Sequence, residues 1–518
     1  MATTIGRRAG VDTGAGLLLL GGVLGAYLCT AGGSMATTDA VVSFDLTRQM
    51  VDHGTIALSG NLIGNEAYQG TDGRYYAPFG LAQALWNIPF YVSGRGAATL
   101  LGPGRIDGEA LVKASVTIGS AVAAAGCVWT VWLFGASAGA GPRAAMLGGL
   151  LAAFCSSLWP YSKFGFNVPL VALFLTSALT WSWAGLLHGR APSLVAGGAW
   201  LGLALLTRHE MALAALPILI LVASDARGRW ARVGWWLLGA APGVFVWLGY
   251  NAARFGSPFA TGYERDPTPA VGSSVGAGLW GLLVSPGTSL ILYSPVVVPA
   301  LAALWFLRRR EPRLAWTAAG LCLAFLLFYA QLGNFAGGRS YGPRYLVPLL
   351  PMLCALLAVG MRSFSAGCRR LAVGICLISA AVQLPGVVVD FSKVRLEYAL
   401  RTPGRTYEAV MNEWRSCPLV LNIRAAVQTA PRVARHLTGR EPMPVIARPS
   451  SGSRGEFSQQ FASSFDFWWL HLYYLSVLPA WLSLAAGTTL AGVSLLLLSA
   501  AWRRSPSPRR RQEAGSPL

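Results

Sequence analysis

Apolar runs dominate the chain from Gly14 to Trp502, each interrupted by a short polar or basic segment. About 20 apolar residues in a helix cross about 30 Å of hydrocarbon. Inside a bilayer only helices and closed barrels satisfy their own backbone groups. The pattern predicts transmembrane helices over 14–33, 109–134, 143–160, 166–187, 192–207, 210–223, 232–250, 286–307, 314–331, 345–361, 371–389 and 473–502. The expected fold class is an all-α polytopic membrane protein of about twelve spans, with long extracytoplasmic loops carrying short interfacial helices. An even number of crossings leaves both termini on one side. Arg7-Arg8 ahead of an apolar run resembles a signal peptide, but no small-x-small cleavage site follows, so the segment is expected to stay as the first helix.

Two outer loops are long. The first, 34–108, holds a stretch from Ala40 to His53 with Asp45, Arg48, Gln49 and Asp52 on one helical face and Val42, Leu46 and Met50 opposite. That pattern predicts a helix lying in the membrane interface. Phe79 to Ser93, rich in aromatics, suits a second interfacial or re-entrant piece. The last outer loop, 391–472, contains a Pro/Ser/Gly-rich stretch over 440–455 and ends in Asp466-Phe467-Trp468-Trp469. The expected division is a transmembrane core over 1–390, the loop 391–472, and a final helix with a basic tail over 473–518.

Composition supports the membrane reading: 54% of residues are hydrophobic and 12% charged, against about 25% charged in soluble domains. The net charge of +20 would suit a nucleic-acid binder, but its distribution argues otherwise. Arg7, Arg8, Arg143, Arg190, Arg227 to Arg232, Arg308 to Arg313, Arg362 to Arg370 and Arg503 to Arg511 fall in alternate loops. Most acids lie in the other set. This is the positive-inside pattern, so both termini are expected in the cytoplasm and no nucleic-acid partner is implied. Three lysines against a large excess of arginine suggest a GC-rich bacterial genome, hence the bacterial inner membrane. Seven of the eight cysteines lie in or beside spans, so no disulfide framework is implied. Short cytoplasmic loops and the lack of a Walker-type loop argue against an ATP-driven transporter.

Polar groups concentrate at five places on the outer side, where ionisable residues at membrane depth are functional candidates. Asp39 follows the first span and suits either a general base or, with Thr38, a helix cap. Asp72-Gly73-Arg74-Tyr75-Tyr76 suits a turn. Lys163 stands between two apolar runs. Arg208-His209-Glu210 forms a charged knot in which Arg and Glu could neutralise each other. The loop Gly333 to Tyr345 sets Arg339 and Arg344 among glycines that let backbone N–H groups approach an anion.

The order of these motifs resembles the GT-C superfamily of polyprenyl-phosphate-dependent membrane glycosyltransferases, which includes protein O-mannosyltransferases and the lipid A aminoarabinose transferase. The resemblance runs from Gly14 to about Leu470 and rests on the outer acid, Asp-Gly-Arg-Tyr-Tyr, Ile88-Pro89-Phe90-Tyr91, Thr207-Arg208, the Gly-Gly-Arg-Ser-Tyr-Gly-Pro-Arg-Tyr loop and Asp-Phe-Trp-Trp. It implies inverting transfer on the outer face, from a polyprenyl-phosphate-linked sugar to a glycan, lipid or protein acceptor of the cell envelope. Asp39 would be the base, and Arg339, Arg344, Lys163 and Arg74 would hold the lipid phosphate. Asp72, Tyr75, Tyr76, Arg208, Glu210, Tyr341 and Tyr345 are candidate substrate-binding residues. Many members carry two adjacent acids in the first loop; here Ala40 follows Asp39, and Asp45 is the alternative base. No metal ligands or cofactor are assigned, and a divalent metal is left open. A transporter or lipid-sugar flippase is the main alternative, followed by an O-antigen-type polymerase or ligase. Polar clusters at span ends favour surface chemistry over transport.

Overall fold

The computed structural model describes residues 12–35, 37–59, 67–102, 107–265, 274–402, 411–441 and 465–505. The chain is a helical membrane protein in which every expected span has a helical counterpart. In chain order these begin with α1 (Thr13–Cys29), α2 (Thr38–His53), α3 (Ala82–Leu101), α4 (Gly108–Ser137) and α5 (Pro142–Phe154). There follow α6 (Leu158–Tyr161), α7 (Val168–His188), α8 (Ala191–Thr207), α9 (Ala215–Val222), α10 (Arg229–Phe255), α11 (Val275–Leu283), α12 (Leu290–Tyr293) and α13 (Val297–Arg310). The series closes with α14 (Pro312–Ala330), α15 (Leu350–Gly360), α16 (Ala366–Val388), α17 (Phe391–Arg401), α18 (Pro418–Leu437), α19 (Trp468–Tyr474) and α20 (Ala480–Arg503). By length and composition, α4, α7, α10, α14, α16 and α20 are each sufficient to cross a membrane. The best window of α7 is 89% buried and that of α20 only 17%, so α7 is interior and α20 peripheral.

Lipid tails give helices no hydrophobic reason to associate, so small residues and close backbones do that work. In α8, a Cβ at Gly198 would meet the Trp236 carbonyl and the Ala240 nitrogen of α10, and one at Gly239 would meet Val195. These two helices therefore pack backbone to backbone.

Two expected spans are broken, for a physical reason. In 286–307 the helix stops at Ser294 (φ −143°, ψ 67°) and restarts at Val297, because the residue before Pro295 disfavours helical geometry. The freed Tyr293 carbonyl accepts from Gln383 Nε2 at 2.7 Å and Ser157 Oγ at 3.3 Å. In 143–160 the break falls between α5 and α6, and the Cys155 carbonyl accepts from Ser379 Oγ at 2.6 Å. Side chains thus replace the lost helical bonds.

The first loop differs from its expected form. α2 forms, but its Val42–Leu46 face packs on Leu58, Ala77 and Ala84, so protein rather than lipid covers it. The aromatic stretch is part of α3, which runs antiparallel to α4, with Trp86 Nε1 donating to the Gly119 carbonyl at 2.9 Å. A two-stranded hairpin, β1 (Tyr68–Gln69) and β2 (Tyr75–Tyr76), lies between α2 and α3. Of the Pro/Ser/Gly-rich stretch 440–455, all but 440–441 lies outside the described residues.

Candidate active site

Five segments converge at one end of the bundle: the start of α2, the α6–α7 loop, the α8–α9 junction, the end of α14, and the loop 333–346. Asp39 lies in the first turn of α2, and the cap there is Thr37, whose hydroxyl accepts from Ala40 N at 3.4 Å. Neither Thr38 nor Asp39 caps the helix, and the Asp39 carboxylate turns to Arg344, with Oδ2 3.1 Å from Nη1. Burial opposes the charge on Arg344, and the carboxylate beside it more than compensates, holding the guanidinium above its usual range. Gly337 (φ +73°) lets the loop fold over Arg344, since a Cβ there would sit 2.6 Å from Arg344 Cγ.

Arg208 ends α8 in extended geometry (φ −147°, ψ 127°), which turns its side chain into the same region. Its Nη1 lies 3.7 Å from Glu210 Oε1, and Glu210 also accepts from Tyr329 Oη at 2.8 Å. The ring of Tyr345 organises the cluster. It stacks on Tyr329 with centroids 4.7 Å apart, and the guanidinium carbons of Arg208 and Arg344 each lie 5.1 Å from its centroid. An electron-rich ring face offsets part of the repulsion between two cations. Arg344 Nε and Arg208 Nη1 are buried and have no hydrogen-bond partner among the described residues. Two guanidinium groups with unused donors beside a carboxylate have the hydrogen-bonding chemistry that suits an anion.

His209, between the two charges, is held neutral by its partners. Trp247 Nε1 can only donate, and it reaches His209 Nδ1 at 2.6 Å, so the proton is on Nε2 and points to the Pro78 carbonyl at 3.0 Å.

Other expected site residues lie elsewhere. Asp45 accepts from Ser59 N at 2.8 Å and from Ser59 Oγ at 2.9 Å, tying α2 to the chain that follows it. In the β-hairpin, Asp72 accepts from Tyr76 Oη at 2.7 Å and Arg74 N at 3.0 Å; the Tyr76 bond leads in holding its carboxyl below the usual range. Arg74 is exposed, 3.8 Å from Asp72, and Tyr75 is half-buried on the same strand. Arg339 is exposed. Tyr341 is fully buried, donates to the Val382 carbonyl and packs edge-on against Tyr293, so it holds the loop from beneath.

Lys163 belongs to a second charged cluster. Fully buried, it lies 3.0 Å from Asp466 Oδ2 and donates to the Val387 carbonyl. Asp466 lies 3.7 Å from His471 Nε2, and Lys393 lies 3.3 Å from Asp390 Oδ2. Burial would raise the Asp466 carboxyl, but Lys163 and its neighbours hold it below the usual range. Burial pushes Asp390 up and lowers His471 to about 4. The segment is sewn to the bundle: Asp466 N donates to the Val388 carbonyl at 2.8 Å, Trp468 N to Ala31 at 2.8 Å, and the indoles of Trp468 and Trp469 to Leu28 and Cys29 at 2.9 Å.

Sequence reasoning did not single out Tyr329 or Asp466 as partners of site residues. Tyr329 sits at the end of an apolar run, where aromatics also serve as interface anchors, and the Lys163–Asp466 pair spans 303 residues of sequence. Among the described residues no group of three or more His, Cys, Asp or Glu is placed to hold a metal.

Fold and sequence together define the class as a polytopic helical membrane protein. Residues 108–249 match the family model described as dolichyl-phosphate-mannose-protein mannosyltransferase. The fold is shared with the crystal structure of ArnT from Cupriavidus metallidurans in the apo state (TM-score 0.50, 17% identity, 92% of this chain and 75% of that chain). The same protein bound to undecaprenyl phosphate gives a TM-score of 0.46 at 18% identity, over 93% and 75% of the two chains. The archaeal oligosaccharyltransferase AglB from Archaeoglobus fulgidus, in complex with an inhibitory peptide and a dolichol-phosphate, gives 0.42 at 12% identity, over 89% and 59%. No curated protein matches the chain significantly.

Proposed function

We propose that this chain is an inverting glycosyltransferase that moves a sugar from a polyprenyl-phosphate donor to a cell-envelope acceptor, on the extracytoplasmic side of a bacterial inner membrane. The observation that carries the reading is the buried Asp39–Arg344 pair beside Arg208, with guanidinium donors left over. The acceptor hydroxyl attacks the anomeric carbon, the bond from that carbon to the phosphate oxygen breaks, and the hydroxyl proton passes to Asp39. The leaving phosphate changes from a diester with one negative charge to a monoester that gains a second. Arg208 and Arg344 would meet that growing charge, which is where electrostatic stabilisation acts most strongly. Arg344 pairs with Asp39, and a donor phosphate at the two arginines would compete with that carboxylate for the guanidinium.

The test is the pool of polyprenyl-phosphate-linked sugars in cells lacking the gene. One species is expected to accumulate and to be cleared by the natural chain. Asp39→Asn at equal membrane abundance is expected to clear it about 10²- to 10⁴-fold more slowly, the usual contribution of a general base. Clearance at the natural rate by Asp39→Asn would remove Asp39 from the chemistry.

A further inference from the structure

α18 buries two polar residues along with Pro418 and Val433, and it exposes two large apolar ones. Its buried residues include Asn422 and Thr429, while Ile423 and Val427 are 43% and 68% exposed. In a helix bathed in water the apolar side turns inward. Here Ile423, Val427, Ala430 and Ala434, spaced by four, three and four residues, form an exposed apolar stripe. Arg424, Gln428 and Arg435 form the adjoining stripe, Arg432 is exposed as well, and the helix contains no Asp or Glu.

The ends of α18 fix where it lies. At its start, Leu419 N donates to Tyr293 Oη at 3.1 Å, and the helix packs on the last part of the α16 region. At its end, His436 hydrogen-bonds Tyr474 Oη at 3.1 Å, and Tyr473 Oη donates to the His436 carbonyl at 2.7 Å. Both attachments are at the end of the bundle that carries the candidate active site, so α18, about 30 Å long, runs across that end between α16 and the entry to α20. Leu384 on α16, Trp414 just before α18 and Trp481 at the start of α20 are exposed as well. Exposed tryptophans at span ends mark the headgroup level.

We propose that α18 is a membrane-surface helix. Its Ile423–Val427 stripe lies in the headgroup–acyl boundary of the leaflet at the site-bearing end, and Arg424, Arg432 and Arg435 engage anionic phospholipid headgroups. The helix is linked to the site through Tyr293, which accepts from Leu419 N and packs at 5.0 Å on Tyr341 of the loop that carries Arg344.

The test uses the full chain in nanodiscs of phosphatidylcholine with phosphatidylglycerol, with a nitroxide on Val427→Cys in a Cys368→Ser parent and the labelled parent as blank. Greater collision with oxygen than with a water-soluble nickel chelate is expected. Greater collision with nickel would place the stripe in water and overturn the proposal. Collision with neither would mean a protein or acceptor covers it, which overturns it equally. Adding Arg424→Glu and Arg435→Glu is expected to shift the label towards nickel in the anionic nanodiscs and much less in phosphatidylcholine alone. An unchanged reading in both lipids would overturn the headgroup contact.

Discussion

Two buried clusters of charge sit at the same end of this bundle, and they are built for different ends. Around Asp39, the cations are arginines from two loops, gathered on one tyrosine ring, with donors left unused. Around Lys163, the cations are lysines, each set against one aspartate, and the neighbouring backbone is bonded to α1 and α16. The first arrangement presents unused guanidinium donors, which suit an anion. The second has spent its charges on joining the last loop to the first and sixteenth helices. What separates them is the kind of group left over: guanidinium donors in the first, Arg344 Nε and Arg208 Nη1, and carboxylate oxygens in the second, Asp390 Oδ2 and Asp466 Oδ2.

Breaking one partner of the second cluster should give the largest stability loss in the molecule. Lys163→Met leaves Asp466 charged and buried, and removal of one member of a buried pair costs about 3–5 kcal/mol. Thermal unfolding in detergent would show it, and Lys163→Met combined with Asp466→Leu should recover most of the loss. Failure of the double variant to recover would mean that Lys163 serves something other than the pair.

A smaller effect follows from pH. His471 has a usual value of 6.5 and is lowered to about 4 by burial, so the unfolded chain binds its proton first as pH falls. Stability from this group is complete above pH 6.5 and is lost between 6.5 and about 4. Asp466, held below its usual 3.8, adds a further loss only at lower pH, while Asp390, pushed up by burial, works in the opposite sense. The readout is therefore a difference: His471→Gln should flatten the decline in unfolding temperature between pH 6.5 and 4. An unchanged slope would show that another group carries it.

Much of this architecture is legible in the chain because bilayers demand long apolar helices and basic loops on one side. The breaks at Ser294 and Cys155 were not anticipated, because hydropathy does not record where a side chain takes over a carbonyl. Asp39, Arg208, Glu210, Arg344 and Tyr345 were nominated one by one from their places at span ends, and the fold brings them together. Lys163 was nominated on the same ground and lies in the other cluster. A cation at a span end looks the same in sequence whichever distant aspartate it pairs with, Asp39 for Arg344 and Asp466 for Lys163. Only three-dimensional pairing tells them apart.

The comparison is tested most directly by the affinity of the purified protein for a short-chain polyprenyl phosphate. Replacing Arg208 and Arg344 together by Gln should weaken binding at least about a hundredfold, since each charge-assisted contact contributes about 1.5–3 kcal/mol. The Lys163→Met, Asp466→Leu variant should bind as the natural chain does. The reverse result, with binding kept in the arginine variant and lost in the lysine–aspartate variant, would contradict the assignment and move the phosphate to Lys163.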